Sequence, residues 1–434
     1  MKRSLARWLG GVTVLVGGAL LLALMAQPAT AQSPGWASLG GPDFPASQHA
    51  IVWQMVADPA QPQDLLAATT RGVYSSSNGG QTWAQTSITA WTWTVAFGSG
   101  GDVAYAGTET RGIYRSSDAG SLWSADDAGL RNLDVRAIAV GSDAVVLGTN
   151  SGVYVGGTGV GWEPAGLQGT SISSVGITVA SPLGVLAGSD STVASANLYS
   201  NLAVGKATSW QAVSGGDPGG APVFAIGIGP LARGASNPPI LVGTLKGLML
   251  SDNGGSAWQT VSLAQGALWS VNTIAFDPNN PTVVYVGGDN GGSSGGGLQR
   301  SINGGSTWQP WQTGLPADDV TGLSVEGTNP PTVLAALWHG STRLAATAKL
   351  VDTSAPGPVP LQAVGATSPI PISPPPSTPP SHTQRPRPAK GSGFRLSLPA
   401  WVPPLVAAFL VVLLVGMFMG LRRRRSRLDA EAPP

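Results

Sequence analysis

The pattern S-x-[DN]-x-G-x-x-W recurs along this chain at near-constant spacing, and few folds can hold such a repeat. Four copies are intact: Ser76, Asn78, Gly80 and Trp83; Ser116, Asp118, Gly120 and Trp123; Ser251, Asn253, Gly255 and Trp258; Ser301, Asn303, Gly305 and Trp308. Aligned on tryptophan, positions 36, 83, 123, 162, 210, 258 and 308 are separated by 47, 40, 39, 48, 48 and 50 residues. Within each octet the Asp or Asn accepts hydrogen bonds from turn N–H groups, and Gly takes a left-handed conformation. Ser ties the start of the turn, and Trp returns into a sheet to pack on a neighbour.

Each octet follows a Gly-apolar-aromatic strand, as in Gly72-Val73-Tyr74, Gly112-Ile113-Tyr114 and Gly152-Val153-Tyr154. Two further apolar runs stand upstream, so one unit is four short strands. A period of about 40–50 residues is that of a propeller blade. Gly and Pro, 61 and 36 of 434 residues, exclude a helical bundle and suit many strands joined by tight turns.

The octet resembles the Asp-box, or BNR repeat, of sialidase-type propellers. The longer run Gly-[Val/Ile]-Tyr-x-Ser-x-[Asp/Asn]-x-Gly-x-x-Trp is similar to the propellers of photosystem II assembly factors and sortilin-like receptors. The resemblance spans residues 32–352 and implies an all-β, seven-bladed β-propeller. First strands start near Ile51, Trp93, Val135, Ser173, Val223, Val271 and Val320. Blade seven lacks its own octet. Gly35 to Leu39, at the start of the mature chain, is expected to supply the missing strand against residues 343–350, closing the ring and removing two exposed edges.

The ends differ in kind. Lys2, Arg3 and Arg7 precede an apolar stretch and an Ala-Thr-Ala site, which reads as a signal peptide over 1–31. Residues 353–400 read as a Pro-rich, disordered stalk. Residues 401–421 carry no charge and are long enough for one transmembrane helix, with the basic tail 422–434 held in the cytoplasm by Arg422 to Arg425. The expectation is a single-pass protein of the cell membrane with its propeller outside and no second subunit.

Residues 32–352 hold 11 Lys/Arg and 20 Asp/Glu, a balance of −9, which disfavours nucleic acid as a partner. With no Cys and three His, thiol chemistry and His-based metal sites are not expected, and neither is a cofactor. Three octets carry Asn in place of Asp, against a calcium role. Glycoside hydrolysis needs paired carboxylates. The acid pairs Asp126-Asp127 and Asp318-Asp319 fall in inter-blade loops, and no catalytic residue is assigned.

The octets turn on the face opposite the binding mouth and read as structural. On the mouth side, Arg71, Arg111 and Lys246 each precede Gly in a turn between second and third strands and would form a partial cationic ring. Inter-blade loops there carry Trp91, Trp93, Trp269 and Trp311. Arginine and aromatic side chains suit a partner-binding rim, although the same tryptophans would also serve as wedges between blades. Protein or peptide binding is the leading reading, with complex assembly suggested by the resemblance. Glycan binding or sialidase-like hydrolysis is the alternative.

Overall fold

Alternating apolar runs separated by glycine turns fold here into antiparallel sheets. The computed structural model describes the chain outside residues 1–34, 43–49, 143, 158–160, 179–183, 193–195, 202–208, 214–219, 265–269, 290–296, 316–318, 340–343 and 363–434. The signal peptide, transmembrane segment, tail and most of the stalk read from sequence lie outside the described residues, as does Trp269. Among the described residues the strands form seven four-stranded antiparallel sheets. Six are built from consecutive strands. The seventh runs Asp319–Glu326, Thr332–His339 and Leu344–Val351 from the inside outward, with the N-terminal Ala37–Leu39 as its outer strand. Ala37 pairs with Lys349 and Leu39 with Thr347, so the two ends of the propeller close one blade as expected.

The octets behave as their chemistry requires. Ser76 Oγ accepts from Gly80 N at 2.9 Å and donates to Asn78 Oδ1 at 2.9 Å, while Asn78 Oδ1 accepts from Thr82 N at 2.9 Å. The same Ser-to-Asx and Gly-to-Ser bonds recur at Ser116, Ser251 and Ser301. Each periodic tryptophan then lies against the preceding blade. Trp123 packs on Leu66, Trp162 on Tyr105, Trp258 on Leu198, and Trp308 on Leu241. Trp83 packs on Leu39 and Leu334 of blade seven, and Trp36 joins the cluster of Tyr285 and Leu298 in blade six. Burial of these large rings between sheets couples neighbours that share no ladder.

A second repeated contact sets how closely the blades approach at their inner edge. Second strands carry Gly107, Gly148, Gly188, Gly243 and Gly287 opposite the first strand of the next blade. A Cβ added at Gly243 would meet Val271 O at 2.5 Å, and one at Gly287 would meet Val320 Cγ1 at 2.5 Å. Blades one and seven use Ala68 and Ala336 at this position, both fully buried.

One boundary needs correction. The stalk was expected from Thr353, yet the chain stays bound to the propeller through Gln362. Asp352 is buried, accepts from Arg300 Nη1 and Tyr285 Oη, and ties blade seven to blade six. Asn280 Nδ2 donates to Gly357 O at 2.7 Å, and Val359 N donates to Asn279 O at 3.1 Å. Arg233 N donates to Pro360 O, and Gln362 N to Leu231 O, both at 2.9 Å in blade five. Proline removes donors but leaves carbonyl acceptors, so a segment with little to bury can still be strapped down by hydrogen bonds.

Candidate functional site

The innermost strand of every blade contains a β-bulge at the same place. Registers skip one residue in Val52–Ala57, Thr92–Phe97, Val135–Val140, Ile172–Thr178, Val223–Ile228, Ser270–Asp277 and Asp319–Glu326. The skipped residues are Trp53, Trp93, Arg136, Ser173, Phe224, Asn272 and Thr321. A bulge leaves one residue without a ladder partner and re-aims its side chain. All seven line a single open cavity of about 500 Å3, joined by Asp190, Leu245 and Ser270. Cavities of about 430 and 260 Å3 at other positions each touch only two neighbouring blades. The central one gathers a side chain from all seven.

Its walls are unequal. On one side Trp53, Trp91 and Trp93 form a cluster, with ring centroids 6.1 Å apart for Trp53–Trp91, 5.3 Å for Trp53–Trp93 and 5.1 Å for Trp91–Trp93. Trp93 Nε1 donates to Asp134 Oδ1 at 3.1 Å, which fixes the ring. Beside it, the Arg136 guanidinium lies 5.7 Å from the Trp93 ring centroid. Arg136 also bonds Asp134 Oδ2 at 3.1 Å, and its Nη1 bonds Asp190 Oδ2 at 2.9 Å and Ser171 Oγ at 3.1 Å. Phe224 and Leu245 add a second apolar wall from blade five, and Asn272 and Thr321 complete the circuit.

These side chains also stitch the ring. Ser173 Oγ donates to Val223 O at 2.6 Å, and Thr321 Oγ1 to Val52 O at 2.5 Å, each reaching the next blade. Their donors are thereby spent, whereas Asp190 Oδ1 and the Asn272 side chain make no hydrogen bond among the described residues. Asp134 and Asp190 together outweigh Arg136 by one negative charge. The cavity can therefore offer flat apolar faces, one open carboxylate oxygen and one free amide. Among the described residues, no three His, Asp or Glu side chains are grouped to hold a metal ion.

The residues singled out by sequence separate into two groups. Trp93 lines the cavity, and Trp91 backs it by stacking on Trp53 and meeting Trp93 at a tilt. Arg71, Arg111 and Lys246 are exposed on turns between second and third strands and do not line it. Trp311 is a wedge: its ring lies 3.6 Å beneath the Arg300 guanidinium carbon, and its carbonyl accepts from Trp36 Nε1 at 3.3 Å. Trp53, Arg136, Ser173, Phe224, Asn272 and Thr321 were not singled out. Their signal is internal: each first strand reads β-branched residue, free position, small or polar residue, apolar residue, as in Val52-Trp53-Gln54-Met55 and Val223-Phe224-Ala225-Ile226.

No protein-family model matches the chain, and no curated protein matches it significantly in sequence. Solved structures do share its fold. A GH74 enzyme of Niastella koreensis superposes with a TM-score of 0.54 at 16% identity, over 75% of this chain and 55% of the enzyme. The chain thus spans about half that enzyme's length. YCF48 from Cyanidioschyzon merolae superposes with a TM-score of 0.51 at 19% identity, over 73% of this chain and 98% of YCF48. The extracellular domain of the one-component system BT4673 from B. thetaiotaomicron gives 0.51 at 12% identity, over 73% of this chain and 40% of that one. At these identities the likeness is one of fold.

Proposed function

We propose that this propeller is a non-catalytic binding module, held outside the cytoplasm by a C-terminal helix, which recruits a polypeptide partner through its mouth. The observation that carries the reading is the ring of seven bulge residues. Seven sheets spend the same irregularity to present Trp53, Trp93, Arg136, Ser173, Phe224, Asn272 and Thr321 to one cavity. Large aromatic side chains and an arginine in a partly desolvated depression are the usual anchors of a protein contact. Asp134 and Asp190 are both bonded to Arg136, an arrangement suited to holding a ligand more than to moving a proton. The apolar stretch 401–421 and the arginines after it support the membrane placement, and complex assembly is one use such a module would have.

Replacing Phe224 with the photo-crosslinking residue p-benzoylphenylalanine in the full chain tests the reading. Polypeptide adducts should form from position 224 and not from position 122, where Leu122 is 75% exposed on an octet turn. Adducts from position 122 alone would overturn it.

A second reading, glycan binding or cleavage, is favoured by the indole rings of Trp53 and Trp93 beside polar Asn272, since flat rings stack on sugars. Hydrolysis of a glycoside panel that vanished in Asp190→Asn would establish it in place of the first.

A further inference from the structure

Resting on the mouth as the binding site, we propose that the group it takes is an arginine side chain presented by an extended segment of a basic partner polypeptide. Three observations converge on that chemistry. The cavity is walled by the aromatic rings of Trp53, Trp93 and Phe224, which attract a cation over their faces. Asp190 spends Oδ2 on Arg136 and leaves Oδ1 open, in a side chain 29% exposed at the cavity wall. Asp134 and Asp190 exceed Arg136 by one charge, and the folded body around them carries −9. The cavity wall therefore keeps one negative charge that Arg136 does not neutralise, with Arg71, Arg111 and Lys246 standing exposed on turns outside it.

The internal arginine shows the geometry that a second one would adopt. Arg136 combines a carboxylate contact with placement 5.7 Å from the Trp93 ring centroid. A ligand guanidinium on Asp190 Oδ1 would repeat the arrangement from the open side, using Phe224 as its flat surface. Guanidinium is preferred to ammonium because it is planar, weakly hydrated and able to stack while it bonds. The Asn272 amide, with a donor and an acceptor to offer, matches a peptide group flanking that side chain. A neutral sugar would use the rings but leave the negative charge uncompensated, and an acidic segment would oppose it. The negative balance of residues 32–352 also favours the approach of a basic partner over an acidic one.

The test is a titration of the full chain in detergent, followed by tryptophan fluorescence, with three probes: a blocked Gly-Arg repeat peptide, its Gly-Glu counterpart and cellohexaose. The Arg peptide should bind, weaken about tenfold in Asp190→Asn, and weaken as salt rises from about 0.05 to about 0.5 M. Phe224→Leu keeps an apolar side chain at this open position but removes the ring face, so it should lower affinity about threefold at an unchanged thermal midpoint. Equal or tighter binding of the Glu peptide or cellohexaose would overturn the proposal, as would an Asp190→Asn protein that folds normally and keeps its affinity for the Arg peptide. Adducts from position 224 that persist while the Arg peptide fails to bind would overturn the arginine assignment alone. Absence of those adducts would overturn the mouth reading beneath it.

Discussion

Ala119 is the residue at which the octet bears strain. Three octets place glycine fourth, at Gly79, Gly254 and Gly304, with φ of 66°, 71° and 70°. Blade two places Ala119 there at φ 55°, in the left-handed region where a Cβ crowds the following carbonyl. Ala119→Gly should relieve that strain, less the added freedom of the unfolded chain, for a gain of about 0.5–1 kcal/mol in denaturant unfolding. Asp277 gives a different single-residue test. Burial raises its carboxyl above the usual value of 3.8, and backbone N–H bonds from Asn279 and Asn280 only partly offset this. Its charged form is therefore disfavoured by folding. The contribution is fully present below pH 3.8 and is lost as pH rises through the raised folded value. Asp277→Asn keeps an acceptor without the charge. It should match the parent protein in acid and exceed it in stability toward neutral pH, measured by urea unfolding across that range.

At the scale of elements, the first two strands of each blade are specified by size as much as by hydrophobicity. A small residue on the second strand faces a β-branched residue on the next blade's first strand, and the following bulge re-aims one side chain inward. The close approach leaves no room for a methyl group at Gly243, where the obstacle includes the carbonyl of Val271. Gly243→Ala should cost about 1–3 kcal/mol through a backbone shift, read as a lower urea midpoint. Because the shift would displace the bulge carrying Asn272, the same variant should also weaken any ligand of the mouth.

At the scale of the whole molecule, closure is made twice. Ala37–Leu39 completes blade seven, and the strap from Asp352 to Gln362 then binds blades six and five on the face bearing the octets. Asp352 is the joint of the second closure: it is 1% exposed, ion-paired with the 5%-exposed Arg300, and bonded by Tyr285 Oη. Burial and the neighbouring carboxylate push the Tyr285 hydroxyl far above its usual pKa, so it remains a donor. Asp352→Ala would strand Arg300 without a counter-charge and should cost about 3–5 kcal/mol. Limited proteolysis should then release residues beyond 352 before the blades are cut.

The sequence alone determined the architecture, because the features that define a blade are local. An octet sets its own turn with its own serine, Asx and glycine, and its tryptophan needs only an adjacent apolar sheet. Spacing then gave the number of blades, and the leftover Trp36 strand gave the closure. Trp93 was legible at the mouth because a tryptophan between blades is conspicuous, although the structure places it on the bulge of the strand Thr92–Phe97 and not in an inter-blade loop. Arg136, Phe224 and Asn272 were not, since each looks ordinary in its own strand. They become a site only when seven bulges converge on one axis, and convergence is a property of the closed ring. The charge at the mouth was likewise hidden: Asp134 and Asp190 lie 56 positions apart in the chain and meet only through Arg136. Contacts made between blades, including the strap carbonyls that a count of prolines passes over, were decided by the tertiary structure.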